Sequence, residues 1–370
     1  MKIGIVTYTS LHCNFTNYGT VLQSWAMQQT LRRIDNVDPV LVNYCPVTMK
    51  DKDPLNPMKN MWDTNSEARI LCELSLPAIR ENYKKIYDFY HQMMVLSDKE
   101  YDVENFDDVQ KEGINRFVIG SDSIFDIEEF GLDNVYFANT DLMRGSAIAY
   151  APSFQDSIDS YKKEDLIALN QCLRNFKRFS LRETQLIPYV KENVREDVQQ
   201  VLDPTLLLNP EEYESIMAKK QMSEKYILYY SRRYNSQMES FVYKLAQQKG
   251  LKVVEISLRA NNADKAIMHY DAGVEEFLSL VKNAEYVVTN SYHCLIFAIQ
   301  FAREFFVFSR EHCARKIIEL LQLVGLDDRY CQTEVIPQIS DIDYTHVQSI
   351  IENNRISSLN YLNEAVESLR

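Results

Sequence analysis

The chain has 370 residues, 46% of them hydrophobic and 25% charged, which is an ordinary globular composition and more than one core comfortably holds, so two domains are expected. Its formal net charge of -13 argues against a sequence-independent nucleic-acid binder, because affinity for a phosphate backbone needs Lys and Arg in excess. No apolar run approaches the roughly 18 residues that cross a bilayer, and the seven Cys form no metal-binding spacing and suit a reducing compartment.

The N-terminus, Met1-Lys2-Ile3-Gly4-Ile5-Val6, starts on a strand pattern without a charged-then-apolar leader, so a cytoplasmic protein is expected. Short apolar runs then alternate with amphipathic stretches, the signature of βαβ units and a mainly parallel sheet. Strands are predicted at about 2–9, 39–45, 116–121, 146–152, 177–181 and 199–202, and a second series at about 225–231, 251–257, 285–290 and 304–309. The fold class is therefore α/β, with two doubly wound, Rossmann-like parallel-sheet domains. Residues 47–115 read as a helical insertion in the first domain, and the two prolines of Asp203-Pro204-Thr205-Leu206-Leu207-Leu208-Asn209-Pro210 mark the linker. The predicted domains are 1–207 and 208–342, with 343–370 as a terminal helix that can pack back on the first.

In open parallel sheets ligands bind beyond the carboxyl ends of the strands. The first strand leads to Asn17-Tyr18-Gly19 at a helix start, where a glycine permits close backbone approach and Asn17 can cap; no G-x-G-x-x-G occurs. The next strand ends in Gly120-Ser121-Asp122-Ser123, which offers a carboxylate as general base or as acceptor for a sugar hydroxyl. Ser153 and Arg182 follow at later strand ends; Arg182 can fork onto a carboxylate or phosphate, or form a salt bridge with Glu183.

In the second half, Tyr286-Val287-Val288 ends in Thr289-Asn290-Ser291-Tyr292-His293-Cys294 and runs into an apolar helix. His293 thus sits at a strand-to-helix turn, placed to exchange a proton. Cys294 at a helix start is a candidate nucleophile, with small apolar filler as the blander role. Arg232 and Arg233, Arg310, Arg315 and Lys316 make this ligand edge basic, so an anionic ligand is expected.

Seven blocks, taken in order, carry a family resemblance. They are Asn17-Tyr18-Gly19-Thr20-Val21-Leu22-Gln23; Gly120-Ser121-Asp122; Ala149-Tyr150-Ala151-Pro152-Ser153-Phe154; Leu181-Arg182-Glu183; Leu202-Asp203-Pro204; Thr289-Asn290-Ser291-Tyr292-His293; and Arg315 through Gly325-Leu326-Asp327-Asp328-Arg329. With these the chain resembles the polysaccharide pyruvyl transferase family. The resemblance implies a glycosyltransferase-B-like fold and transfer of pyruvate from phosphoenolpyruvate to a sugar as a cyclic ketal, with no cofactor or metal beyond the donor. The acceptor would be a sugar, oligosaccharide or lipid-linked glycan, the last met at the inner face of the membrane. It also implies that His293 is the essential histidine and Arg182 the donor-binding arginine. Many members carry Arg at the position of Ser291 and Gly at that of Cys294, so one anion contact is missing here, and Arg232, Arg310 or Arg315 are candidates to replace it. In the expected mechanism His293, or a water it orients, protonates the donor's methylene carbon and Asp122 takes a hydroxyl proton. Asn17, Tyr18, Gly19, Ser121, Ser153, Arg232, Asn290, Ser291, Arg310, Arg315 and Lys316 form the expected binding surface. A nucleotide-sugar glycosyltransferase and a non-catalytic glycan-binding protein on the same fold are the alternatives.

Overall fold

The structure is a computed structural model that describes residues 1–13, 16–55, 66–154, 158–257, 262–310 and 313–370. The first half builds a seven-stranded parallel sheet from β1 (Lys2–Val6), β2 (Asp38–Tyr44), β3 (Leu96–Tyr101), β4 (Phe117–Ile119), β5 (Ala147–Ala149), β6 (Arg178–Leu181) and β7 (Val198–Gln200), in the order β3-β2-β1-β4-β5-β6-β7. Its connections carry α1 (Tyr18–Leu31), α2 (Ser66–Met93), α3 (Ile127–Phe130), α4 (Lys163–Leu173) and α5 (Ile187–Asn193). After α6 (Pro210–Glu214), a second parallel sheet follows. Its strands are β8 (Tyr226–Tyr230), β9 (Lys252–Ile256), β10 (Ile267–His269), β11 (Tyr286–Thr289), β12 (Glu304–Phe308) and β13 (Tyr330–Cys331), ordered β10-β9-β8-β11-β12-β13. Around it lie α7 (Ser236–Lys249), α8 (Val274–Lys282), α9 (Tyr292–Gln300) and α10 (Ala314–Val324), and the chain ends in α11 (Tyr344–Glu367).

Both sheets are doubly wound, and each reverses its winding once, between β1 and β4 and between β8 and β11. Strands buried on both faces read as continuous apolar runs, as in β8 (Tyr-Ile-Leu-Tyr-Tyr), which is buried throughout. The reversal points matter for function because loops leaving adjacent strands there diverge to opposite faces and open a crevice.

The stretch 47–115 is not the helical insertion that its polarity suggested. Its helix α2 is the crossover from β2 to β3, and β3 pairs in parallel with β2 as the sheet's edge strand. Residues 56–65 of that stretch lie outside the described residues.

The two domains share one apolar core. Leu22 and Trp25 of α1 belong to the same buried cluster as Phe277 of α8 and Phe297 of α9. Tyr18 stacks on Phe277 with ring centroids 4.4 Å apart, and its hydroxyl donates to the Ala272 carbonyl at 2.7 Å. Helix α11 returns to the first domain: the Leu202 amide donates to Ser358 Oγ (2.9 Å), Arg355 Nε to the Leu206 carbonyl (2.7 Å) and Arg116 Nε to the Leu369 carbonyl (2.6 Å). Among the described residues no helix is long and apolar enough to cross a membrane.

Candidate active site

The carboxyl ends of the two sheets face each other, and the reversal point of each delivers polar side chains to the space between. From the first domain, the loop after β1 enters α1 at Asn17, whose Oδ1 accepts the Gly19 amide at 3.0 Å. From the second, β11 ends in Asn290 and Ser291; the Ser291 hydroxyl caps α9 by accepting the Cys294 amide at 3.4 Å, and this sets His293 in the first turn. The N-termini of α1 and α9 therefore meet, with the imidazole of His293 lying directly against Gly19. A Cβ built on Gly19 would sit 2.1 Å from His293 Nδ1, far inside contact distance, so glycine at this position is what lets the ring in.

The other face of the imidazole meets a buried charge cluster. His293 Nε2 is 3.5 Å from Asp203 Oδ2, and Arg182 Nη1 donates to the same oxygen at 2.7 Å. Arg182 Nε donates to Glu183 Oε1 at 3.0 Å, and its Nη2 is buried without a hydrogen-bond partner among the described residues. Asp203 Oδ1 accepts from the Thr205 amide (3.0 Å) and hydroxyl (2.7 Å). The Asp203 side chain is fully buried and that of Arg182 is 4% exposed. Burial alone would push the Asp203 carboxyl up, but the facing His293 and Arg182 hold it well below the usual carboxylate range. Burial works against the Arg182 charge too, yet Glu183, Tyr292, Asp203 and Asp122 raise it further above its ordinary value. The Arg182 guanidinium also lies 4.6 Å from the centre of the Tyr292 ring, and Lys316 Nζ lies 5.6 Å from it.

Asp122 borders this cluster. It is buried with a left-handed backbone (φ 69°), a conformation that costs energy in a non-glycine residue. The turn is held by the Ser153 amide donating to the Asp122 carbonyl and the Ser123 amide donating to Asp122 Oδ1, both at 2.9 Å. Ser121 Oγ donates to the Ala151 carbonyl (2.9 Å) and lies 3.5 Å from Asp203 Oδ2. Beyond Asp122, burial first, then the charges of Asp126 and Asp122, push the Glu129 carboxyl up to about 7, against the opposing pull of Lys316 and Arg310 from the second domain.

His293 and Arg182, from different domains, thus meet at one oxygen of Asp203, and Asp122 stands close enough to act on the Arg182 charge. The expected binding residues divide by placement. Lys316 stands against the Tyr292 ring and acts with Arg310 on Glu129, while Arg315 Nη2 pairs with Asp159 Oδ2 at 3.0 Å, linking the domains. Arg232 Nη1 donates to the Thr16 carbonyl at 2.8 Å across the interface, and its amide donates to Asn290 Oδ1 at 2.7 Å. Asn290 Nδ2 holds the Arg233 carbonyl at 2.9 Å, so Asn290 shapes the loop that presents Arg232. Asn17 and Ser291 act as helix caps. Tyr18 has both ring and hydroxyl engaged in the domain interface, which corrects its expected role in binding substrate. Cys294 is completely buried and burial pushes its thiol up to about 12, so it packs as a neutral group and not as a nucleophile.

Asp203, Glu183, Tyr292 and Glu129 were not anticipated as site residues. Asp203 falls in the segment whose two prolines mark the linker, and its further sequence signal is its place in a block shared with the family. Among the described residues no group of three or more His, Cys, Asp or Glu side chains could hold a metal ion.

A family model described as polysaccharide pyruvyl transferase matches residues 17–312. Among solved structures, the putative UDP-N-acetylglucosamine 2-epimerase of Listeria monocytogenes is 9% identical, with a TM-score of 0.51 over 100% of this chain and 89% of the other. The UDP-GlcNAc 2-epimerase of Neisseria meningitidis, bound to UDP-GlcNAc, is 10% identical, with a TM-score of 0.50 over 100% of this chain and 99% of the other. At such identity the likeness is one of fold, two parallel-sheet domains of the glycosyltransferase-B kind facing across a site. A comparison with curated proteins finds no match.

Proposed function

The chain belongs to the polysaccharide pyruvyl transferase family, and we propose that it transfers pyruvate from phosphoenolpyruvate to two hydroxyls of a sugar in a cell-surface glycan or its precursor, closing a cyclic ketal. The observation that carries this reading is the buried, partly unanswered guanidinium of Arg182 from one domain beside His293 from the other. A buried donor without a partner costs about 1–3 kcal/mol, and an anionic ligand at Arg182 Nη2 removes that cost.

Phosphoenolpyruvate carries a carboxylate and a phosphate, and cations for both stand close by. Arg182 and Lys316 lie against the same Tyr292 ring, Arg310 acts with Lys316 on Glu129, and the N-termini of α1 and α9 meet at His293. His293, which faces Asp203 at 3.5 Å, gives a proton to the methylene carbon, which becomes the methyl group. The carbon bearing phosphate turns cationic, stabilised by its oxygen substituent, and a sugar hydroxyl adds there while Asp122 takes the hydroxyl proton. Cleavage of the bond between carbon and the bridging oxygen then releases phosphate, and the second hydroxyl adds to the same carbon. Of the two hydroxyl protons, one replaces the proton spent on the methyl group and the other leaves on hydrogen phosphate. The chain's own contribution is positioning, charge complementarity and two proton transfers.

The test is release of inorganic phosphate from phosphoenolpyruvate by the purified chain in the presence of candidate sugars and lipid-linked glycans. Acceptor-dependent release that is lost in His293→Ala supports the reading. Full turnover by that variant, or stabilisation by nucleoside diphosphates and not by phosphoenolpyruvate in a thermal shift, counts against it and favours glycosyl transfer.

A further inference from the structure

We infer that Asp203 is the positioning residue of this site: one buried carboxylate that faces His293 as its counter-ion and fixes the register of Arg182, tying the site to the segment joining the domains. The inference rests on the reading above for its catalytic consequence, though not for its geometry.

Three features support it. First, the two oxygens of Asp203 have separate tasks. Oδ1 is held by the amide and hydroxyl of Thr205 at 3.0 and 2.7 Å, which fixes the carboxylate's plane, while Oδ2 faces Arg182 Nη1 at 2.7 Å and His293 Nε2 at 3.5 Å. A carboxylate needed only to balance Arg182 would not also have to face the imidazole, and Glu183 already pairs with Arg182 at 3.0 Å.

Second, the segment that follows Asp203 grips the helix that carries His293 at its far end. Gln300, the last residue of α9, donates to the carbonyls of Thr205 (2.9 Å) and Leu208 (3.0 Å). Asp203 thus faces the first turn of α9 while Thr205 and Leu208 hold its last, so the helix and this segment move as one piece. The distance between His293 and Asp203 is set before any ligand arrives, which is the arrangement that preorganised catalysis requires.

Third, the charges around the imidazole leave Asp203 as its nearest counter-ion. Gly19 on α1 presents no side chain, and Tyr292 meets the ring edge-on at 5.3 Å. Arg182 stands beside the carboxylate, Glu183 pairs with Arg182, and Lys316 lies against the Tyr292 ring.

Asp203→Asn keeps the shape and removes the charge. In the full-length chain we expect kcat to fall by about 10²-fold or more with a much smaller change in the KM for phosphoenolpyruvate. We also expect the alkaline limb of the kcat profile to move to lower pH, because an imidazolium without its counter-ion gives up its proton sooner. The imidazole signals of His293, identified among the six histidines by comparison with His293→Gln, should titrate at lower pH in Asp203→Asn than in the natural chain. An unchanged titration and an unchanged pH profile would overturn the inference, as would a variant whose only defect is a raised KM. If Asp203→Asn does not fold, Thr205→Val, which frees Oδ1 from its hydroxyl partner and so loosens the plane of the carboxylate, should lower kcat by less than the fall expected of Asp203→Asn while leaving the KM for phosphoenolpyruvate unchanged, and an unchanged kcat would overturn the inference. If the natural chain releases no phosphate from phosphoenolpyruvate, the proposed function fails while the titration comparison still decides the role of Asp203.

Discussion

Replacing Gly19 by alanine sets two effects against each other with opposite signs. Gly19 is the second residue of α1, and glycine there costs helix stability, so alanine alone should add about 0.5–1 kcal/mol. The structure predicts the reverse. The new Cβ would stand 2.1 Å from His293 Nδ1, 2.5 Å from its Cγ and 2.8 Å from its Cε1, where ordinary contact begins near 3.4 Å. Either the ring retreats by roughly 1 Å, enough to cost about 10²-fold in rate, or the N-termini of α1 and α9 part, at about 1–3 kcal/mol for overpacking. Thermal melting and phosphate release measured on the same preparation read both outcomes. A Gly19→Ala protein that melts at or above the natural chain and retains full turnover would refute the idea that His293 is seated against α1.

Arg182→Ala should leave Glu183 as an unbalanced buried charge and Asp203 with His293 alone, destabilising the chain by about 3–5 kcal/mol in denaturant unfolding; Arg182→Lys should restore part of the stability and little of the turnover, because a point charge cannot answer both carboxylates and a donor anion. Cys294 should resist alkylation in the native chain at pH 8, and Cys294→Ala should keep its turnover, since its thiol is pushed up to about 12. Glu255, far from the site, gives a pH prediction of definite sign. Burial pushes its carboxyl up to about 7 although Asn262 Nδ2 donates to it at 2.8 Å, so the folded chain binds a proton there that the unfolded chain releases. Its contribution to stability is therefore present below the usual glutamate range and lost as pH rises through about 7, at a cost of up to about 3 kcal/mol. Glu255→Gln should melt higher than the natural chain at pH 8 and converge with it near pH 5; the same gap at both values would contradict this.

Much of the fold was legible because parallel strands buried on both faces advertise themselves as apolar runs. The ten predicted strands all exist, most of them shorter at the ends than their apolar text. The missing three are edge strands: β3, whose Leu-Ser-Asp-Lys-Glu-Tyr text is half exposed and carries charges that suit an edge, and the short β10 and β13. Position at a strand end singled out His293, Arg182 and Asp122, and the structure brings the first two together at Asp203. What the sequence could not convey was contact across the chain. Asp203 and His293 are 90 residues apart and meet only because two sheets face each other. Tyr18 looked like a ligand residue from its neighbours Asn17 and Gly19, and only its stacking on Phe277 shows that the interface claims it.

The central claim is that an imidazole and a guanidinium from different domains act on one anion. A crystal structure of the His293→Gln chain soaked with phosphoenolpyruvate tests it most directly. The account predicts the donor's carboxylate or phosphate on Arg182 Nη2, with its methylene carbon turned toward residue 293 and its remaining charge toward Lys316 and Arg310. A donor bound away from Arg182 and residue 293, or one that touches Arg182 with its methylene carbon facing away from residue 293, would contradict it.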